Sequence, residues 1–428
     1  MDSSTTIQQR LKVSELVGFI LLLILVVTGP LFLPSSMHYF RLLVGLFFGY
    51  VLARSYTGFA GSVNRAYRNG SSRLMRTMLL MFLMTAIANV AFIAGTKDIT
   101  IYKLEINPIN LGLLLGALFF GFGMSLSSCC ATGTLTDLAS DFPRAGVTFV
   151  FFTIGVFLGF PLQNTQSWIK NSWFTSPTGK LFKQGVYLPD WFKWDHTGGY
   201  LGAIVLTALL VAVFSYTAYL YEKKRRRTHQ YVDVDTEKYQ IDAAIDDMNA
   251  KENLSTYEKL FLKPWTLKQG AVGLTIGFIL LMGITKAGWG ASTPYGIWFG
   301  KFINLFGVST SSLAGFTHLP EVTFSTPWLG NPITVQDLGI FLGSLIFILT
   351  SGLWTKTLQS VTKLNAKNTC VFALGGFTMG FGTRMANGCN VGALYSPIAE
   401  LSLSGWIFFV FLVLGAIIGN KFFKKVFN

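Results

Sequence analysis

Two cysteines stand at matching places in two copies of one short pattern. The first copy is Gly121-Phe122-Gly123-Met124-Ser125-Leu126-Ser127-Ser128-Cys129-Cys130-Ala131-Thr132-Gly133-Thr134-Leu135. The second is Gly380-Phe381-Gly382-Thr383-Arg384-Met385-Ala386-Asn387-Gly388-Cys389-Asn390-Val391-Gly392-Ala393-Leu394. Aligned without a gap, both carry Gly-Phe-Gly, a Cys seven residues after that triplet, a Gly three further on and a Leu two beyond. The register extends outward, with Leu115-Gly116 on Leu374-Gly375 and Gly146 on Gly405. A lone Cys in an apolar run reads as a small packed hydrophobe. Two at one position of an internal repeat, each set among glycines, read instead as a site built where the repeats meet.

The chemistry open to such a pair is narrow. An ordinary thiol, with a pKa of about 8.5, is mostly neutral at pH 7 and donates a weak S–H hydrogen bond. A thiolate would repel an anion, so a neutral thiol is the expected contact for an anionic substrate. Cys130 and Cys389 lack the nearby His or carboxylate partners of a zinc site. They also lack the adjacent base of a Cys-His hydrolase. No cofactor or metal is expected, and the chain is not read as an enzyme. Around Gly133 and Gly392 the chain is expected to start new helices, whose free N–H groups attract anions. Arg384 lies five residues before Cys389 in an apolar run, where a cation is costly unless it faces protein or a cavity. It reads as attracting an anion or supporting the site; its counterpart in the first copy is Ser125. Asn387 and Asn390 bracket Cys389 as ligand contacts or as ties for broken backbone, and both readings stay open. Cys129 and Cys370 read as packing.

These residues need a membrane around them. The chain has 428 residues, 51% hydrophobic and 13% charged, with mean hydropathy +0.50. Soluble domains carry about 25% charge, so this is an integral membrane protein. A net charge of +14 invites a nucleic-acid reading. The cations, however, sit between apolar spans, where they set topology, and no nucleic-acid partner is expected. Met1 to Lys12 is polar and no small-residue cleavage site follows, so no signal peptide is expected.

About 20 apolar residues cross a bilayer. Candidate spans are Val13–Leu33 (after Arg10 and Lys12), Tyr39–Ala53, Leu74–Gly95, Ile109–Ser127, Gly146–Leu162, Gly199–Tyr221, Gln336–Leu358, Val371–Thr383 and Gly405–Gly419. A further apolar stretch, Val272–Leu280, matches Val44–Leu52. Gly288-Trp289-Gly290-Ala291-Ser292 echoes Gly58-Phe59-Ala60-Gly61-Ser62 after a two-residue slip. The run Lys223-Lys224-Arg225-Arg226-Arg227 predicts that 228–263 is cytoplasmic, as are both termini. The loop with Trp168, Trp173, Trp191 and Trp194 is expected outside. Counting crossings gives an N-terminal extra helix (1–37), a first half (38–163), a connecting region (164–269) and a second half (270–428) that runs in the opposite direction. The fold class is therefore all-α polytopic, built of inverted repeats with broken or re-entrant helices, as in secondary transporters. The inner spans are read as free of carboxylate and His, which argues against a proton relay.

With these residues in hand the chain resembles the YeeE/YedE family of bacterial inner-membrane proteins, the thiosulfate-transporter-like sulfur transport family. The resemblance is carried by Gly121-Phe122-Gly123 through Thr134, by Gly288-Trp289-Gly290, and by Gly380 through Ala393 followed by Leu401-Ser402-Leu403-Ser404-Gly405-Trp406. It implies an hourglass-shaped helical permease that passes thiosulfate or a related sulfur anion along a line of cysteines, two of which match Cys130 and Cys389. A third family cysteine corresponds to Gly58, so this chain lacks it. The resemblance also implies a small cytoplasmic sulfur-carrier protein as a candidate partner. Alternatives are a selenium or other reduced-sulfur substrate, and a membrane sulfurtransferase that forms a persulfide on Cys130 or Cys389.

Overall fold

The computed structural model describes residues 13–248 and 257–427. Arg10, Lys12 and the middle of the 228–263 segment lie outside the described residues. Nine helical stretches among the described residues are long and apolar enough to cross a membrane. The main elements are α1 (Val13–Phe32), α2 (Ser36–Arg54), α3 (Phe59–Arg68), α4 (Arg73–Ile93), α5 (Leu111–Ser127), α6 (Ala131–Ser140) and α7 (Phe142–Thr165). They continue with α8 (Tyr200–Arg227), α9 (Asp235–Met248), α10 (Leu267–Thr285), α11 (Thr293–Asn304), α12 (Pro332–Thr350), α13 (Ala366–Met385), α14 (Ser396–Ala399) and α15 (Leu403–Phe427). No strand occurs among the described residues, which fits an all-α polytopic membrane protein.

The register that places Cys130 on Cys389 also places α4 on α12, α5 on α13 and α7 on α15. The order of elements ahead of that block matches α2 with α10 and α3 with α11. Packing partners then come in exchanged pairs. Helix α12 packs on α2 as α4 packs on α10, and α13 on α7 as α5 on α15. Likewise α12 packs on α6 as α4 packs on α14, and α11 on α7 as α3 on α15.

The matched helices α5 and α13 also touch each other, and they run antiparallel. Gly116 faces the Gly382 carbonyl, where a Cβ would sit 2.7 Å from the oxygen. Further along α5, Gly123 faces Gly375, with 2.4 Å left for the same atom. Residue numbers rise on one helix as they fall on the other, so two copies of one sequence pattern point in opposite directions. Small residues permit this approach, as is usual for helices packed in lipid.

Charge separates the two ends of the bundle. Arg54, Arg65, Lys224 to Arg227, Lys356, Lys424 and Lys425 lie at helix ends on one face, here the basic face. On the other face the 166–199 segment folds into short turns, with Trp173, Trp191 and Trp194 more than half exposed. It is tied down where Leu188 N donates to Leu401 O and Leu403 N to Val186 O. From sequence, 228–263 is expected as a polar cytoplasmic loop. The structure instead folds α9 within it and docks that helix on the basic face. Gln240 Nε2 donates to the carbonyls of Ser55 (2.7 Å) and Trp265 (2.6 Å).

Candidate functional site

After both helices that lead to the cysteines, the chain turns left-handed at the same residue of the pattern. Ser128 ends α5 with φ 60°, and Asn387 follows α13 with φ 58°. Left-handed backbone at a non-glycine residue is uncommon, and here it occurs twice at one register. Each break is followed by a Cys in extended conformation at the head of a new helical turn: Cys130 at φ −108°, ψ −172°, and Cys389 at φ −97°, ψ −167°.

Local bonds hold the first break. Ser127 Oγ donates to Gly123 O at 2.9 Å, while Arg68 Nη2 and Arg144 Nη1 each donate at 2.7 Å to the carbonyls of Ser125 and Ser127. Cations thus satisfy carbonyls that the end of α5 leaves unpaired. Arg144 is itself fixed by Asp137 and Asp141, both at 2.8 Å. Cys130 then caps α6: its Sγ accepts from Gly133 N at 3.4 Å and lies 3.4 Å from Thr132 Oγ1. The second break is tied by Gly388 N donating to Thr383 O at 2.8 Å. The Val391 and Gly392 N–H groups and the Ser292 hydroxyl lie around the Cys389 thiol. A Cβ built on Gly392 would meet nothing within 4 Å, so that glycine borders open space.

The two cysteines belong to one buried cluster. Each is at most 2% exposed, and each lies within electrostatic range of the other. Tyr295 on α11, fully buried, donates its hydroxyl to Ala131 O at 2.6 Å and lies in electrostatic reach of both thiols. A cavity of about 410 Å³ runs from the basic face to Cys130, lined by Gly58, Arg65, Asp137, Ser344 and Lys356 among others. Cys129 and Gly133 also line it; Cys129 is 2% exposed, with its Sγ 3.3 Å from Thr134 Oγ1. Arg65 is paired with Glu237 of α9 at 3.2 Å, and Ser71 Oγ donates to the same carboxylate at 2.7 Å. At Gly58 a Cβ would meet nothing within 4 Å, so the wall has room there for a side chain.

Arg384 does not line that cavity. Its guanidinium donates to Ser292 Oγ (2.8 Å), Thr383 Oγ1 (3.1 Å), Gln163 Oε1 (3.3 Å) and Thr293 Oγ1 (3.3 Å), and it faces the Phe160 ring. Gln163 also donates to Asn387 Oδ1 at 2.8 Å. Arg384 and Asn387 therefore meet through Gln163 and brace the second break against α7 and the head of α11. Asn390 points the other way, with Nδ2 3.1 Å from Met124 Sδ and its Oδ1 buried without a hydrogen-bond partner among the described residues. Cys370 is exposed at the start of α13, apart from the cluster. Trp289 is fully buried and stacks on Phe48 with ring centroids 3.8 Å apart. One expectation is corrected: the spans are not free of carboxylate, because Asp337 on α12 is fully buried.

Sequence reasoning found the cysteines through the repeat but missed Tyr295, Gln163, Ser292 and Glu237. Ser292 lies in the stretch that echoes Gly58–Ser62, which marked the place but not its bond to Arg384; Tyr295, Gln163 and Glu237 carry no repeat or spacing signal, and their roles come from tertiary placement.

Comparison with known proteins places this arrangement. Over 385 residues the chain is 24% identical to the thiosulfate transporter TsuA of Spirochaeta thermophila, covering 87% of this chain and 95% of that protein. It is 26% identical over 163 residues to the probable transporter YedE of Escherichia coli, a match that spans only 38% of either chain. A shorter match, 38% identical over 78 residues, links it to the thiosulfate transporter TsuA of Escherichia coli, covering 18% of this chain and 21% of that one. A family model described as sulphur transport matches residues 54–418, most of the chain, and the protein belongs to that family of multi-pass membrane proteins.

Proposed function

We propose that this chain is a permease of the bacterial inner membrane for thiosulfate or a related sulfur-containing anion, and not an enzyme. The observation that carries the reading is the matched pair of breaks, each with a Cys at the head of a new helical turn, one of them ending an open cavity. A terminal sulfur is soft and weakly hydrated compared with an oxyanion oxygen, so S–H and backbone N–H donors suit it. Cys389 and Cys130 act as successive contacts, and Arg65 and Lys356 draw the anion along the cavity. Asn387, Asn390, Arg384, Gly133 and Gly392 shape the two breaks rather than react.

The boundaries at 38–163 and 270–428 define the two halves, with 1–37 and 164–269 as additions. Charge orients the molecule: the basic face is cytoplasmic, both termini lie on that side, and 166–199 faces outward. The docked α9 then offers a cytoplasmic surface beside the cavity mouth, where a small sulfur-carrier protein would take the substrate onward. A persulfide-forming sulfurtransferase is less well supported, because both thiols are buried and neither has a His or carboxylate in hydrogen-bond contact among the described residues.

Uptake of isotopically labelled thiosulfate into proteoliposomes, with sulfate and selenite as competitors, tests the reading. Saturable uptake of the intact anion, resistant to sulfate, is expected. Cleavage of the S–S bond with a trapped Cys persulfide would contradict it, and stronger competition by selenite than by thiosulfate itself would move the substrate to selenium.

A further inference from the structure

Asp337 is a carboxyl group that the sulfur pathway leaves unused. It is 0% exposed on α12, and neither of its side-chain oxygens has a hydrogen-bond partner among the described residues. The adjacent Gln336 takes up the nearest cation: Gln336 Oε1 accepts from Arg41 Nη1 at 2.8 Å, and its Nε2 donates to Gly290 O at 3.2 Å. Arg41 therefore attracts Asp337 only from beyond ion-pair contact. A carboxyl group left bare in a low-dielectric interior is costly to ionise, so its proton is exchanged only when a neighbouring charge arrives or leaves.

Packing does not require an acid here. The residue of α4 that matches Asp337 is Met78, which is 4% exposed, so an apolar side chain serves the equivalent place in the other half. An intramembrane ionisable group is a functional candidate by default. The location supports that: the Asp337 carboxyl is in electrostatic reach of Cys389 and of Tyr295, the residue bonded beside Cys130.

The groups facing Asp337 are Arg41 from α2, Tyr295 from α11 and Cys389 from the second break. Helix α6, also packed on α12, presents Asp137, which Arg144 holds at 2.8 Å, and is capped by Cys130. Helix α1 meets the far end of α12, where Gly18 touches Thr350, so Glu15 lies at that end, as do Glu258 and Lys356.

We propose that Asp337 carries the proton that moves with the anion, which makes the permease a proton symporter. This rests on the anion reading above. Thiosulfate is a dianion, and its entry into a negative cell interior is opposed by about 2.3 kcal/mol per charge for each 100 mV. The carboxylate takes one proton from the outer side, forming an O–H bond, while the anion occupies the cysteine cluster. That bond breaks to release the proton inward as the anion leaves, so one negative charge moves per cycle instead of two, with no redox change.

The test uses full-length protein in proteoliposomes at clamped membrane potential. Counterflow of labelled thiosulfate needs no net proton movement and reports the anion reading alone. With one proton per anion, wild-type accumulation rises about tenfold for each pH unit by which the outside is more acidic than the inside. Asp337→Asn is expected to keep counterflow and lose the gradient response, and Asp337→Glu to retain both. Wild-type counterflow with accumulation indifferent to the gradient overturns the proton role, as does a full gradient response in Asp337→Asn. Should Asp337→Asn lose counterflow too, a gradient response in Asp337→Glu supports the role and its absence overturns it. Absent wild-type counterflow overturns the anion reading, and the proton role falls with it.

Discussion

Ser128 and Asn387 occupy the same position of the two halves, and both adopt left-handed backbone, at φ 60° and 58°. Each turns the chain from a long helix into the Cys-headed one that follows. Asn and Gly tolerate this region, whereas a β-branched residue does not. Asn387→Gly is expected to keep the break, while Asn387→Val forces strain of about 1–3 kcal/mol into it. Thermal unfolding in detergent, followed by size-exclusion fluorescence, should show a clear loss for the Val variant and a small one for Gly. Equal stability of the two would show that the backbone at Asn387 is not fixed.

Arg65 lines the cavity, yet its charge is held by Glu237 of α9. Replacing Glu237 with Gln keeps an acceptor for Ser71 and releases the charge toward the cavity. Faster uptake of the anion at low salt is expected, with the gain shrinking as salt rises through a Debye length of about 10 Å at 0.1 M. Arg65→Gln should do the reverse. Initial rates at two ionic strengths decide; a Glu237→Gln rate indistinguishable from wild type at low salt contradicts the assignment.

Arg384 is 2% exposed and bonded to four side chains. As a brace it should matter equally at all ionic strengths. Arg384→Gln is expected to reduce uptake by a similar factor at low and high salt, and to lower thermal stability. A loss confined to low salt would return it to the role of an anion attractor.

The long spans were legible because apolar length and flanking charge are local properties. Val13–Leu33 and Ile109–Ser127, read from sequence, meet helices Val13–Phe32 and Leu111–Ser127. The break before each Cys was legible as well, through glycine and the repeat. Helix α9 was hidden in a charged stretch whose burial depends on Arg65 and on backbone carbonyls far away in sequence. Asp337 was overlooked inside an apolar run, and only its unpartnered burial sets it apart. Arg384 could be assigned as a brace only once Gln163, Ser292 and Thr293 were seen around it.

Gly58 borders open space on the cavity wall, where the family resemblance places a cysteine. Gly58→Cys should fold normally, because a side chain there meets nothing nearby. It adds a third thiol on the path, and a membrane-permeant thiol reagent should then modify residue 58 and block uptake, with thiosulfate protecting. Failure of thiosulfate to protect would place the substrate path elsewhere.

The central claim is that Cys130 and Cys389 are successive contacts on one path, and uptake by their serine and alanine variants tests it most directly. A typical neutral hydrogen bond contributes about 0.5–1.5 kcal/mol, so each single Ala variant should lose roughly twofold to thirteenfold in rate from that contact alone. Losing one of two successive contacts also raises the barrier between them, deepening the loss. Serine keeps a donor while removing sulfur nucleophilicity, and both Ser variants should retain substantial transport. In well-folded protein, full uptake by the Cys130→Ala, Cys389→Ala double variant would contradict the account and leave the cysteines as packing residues.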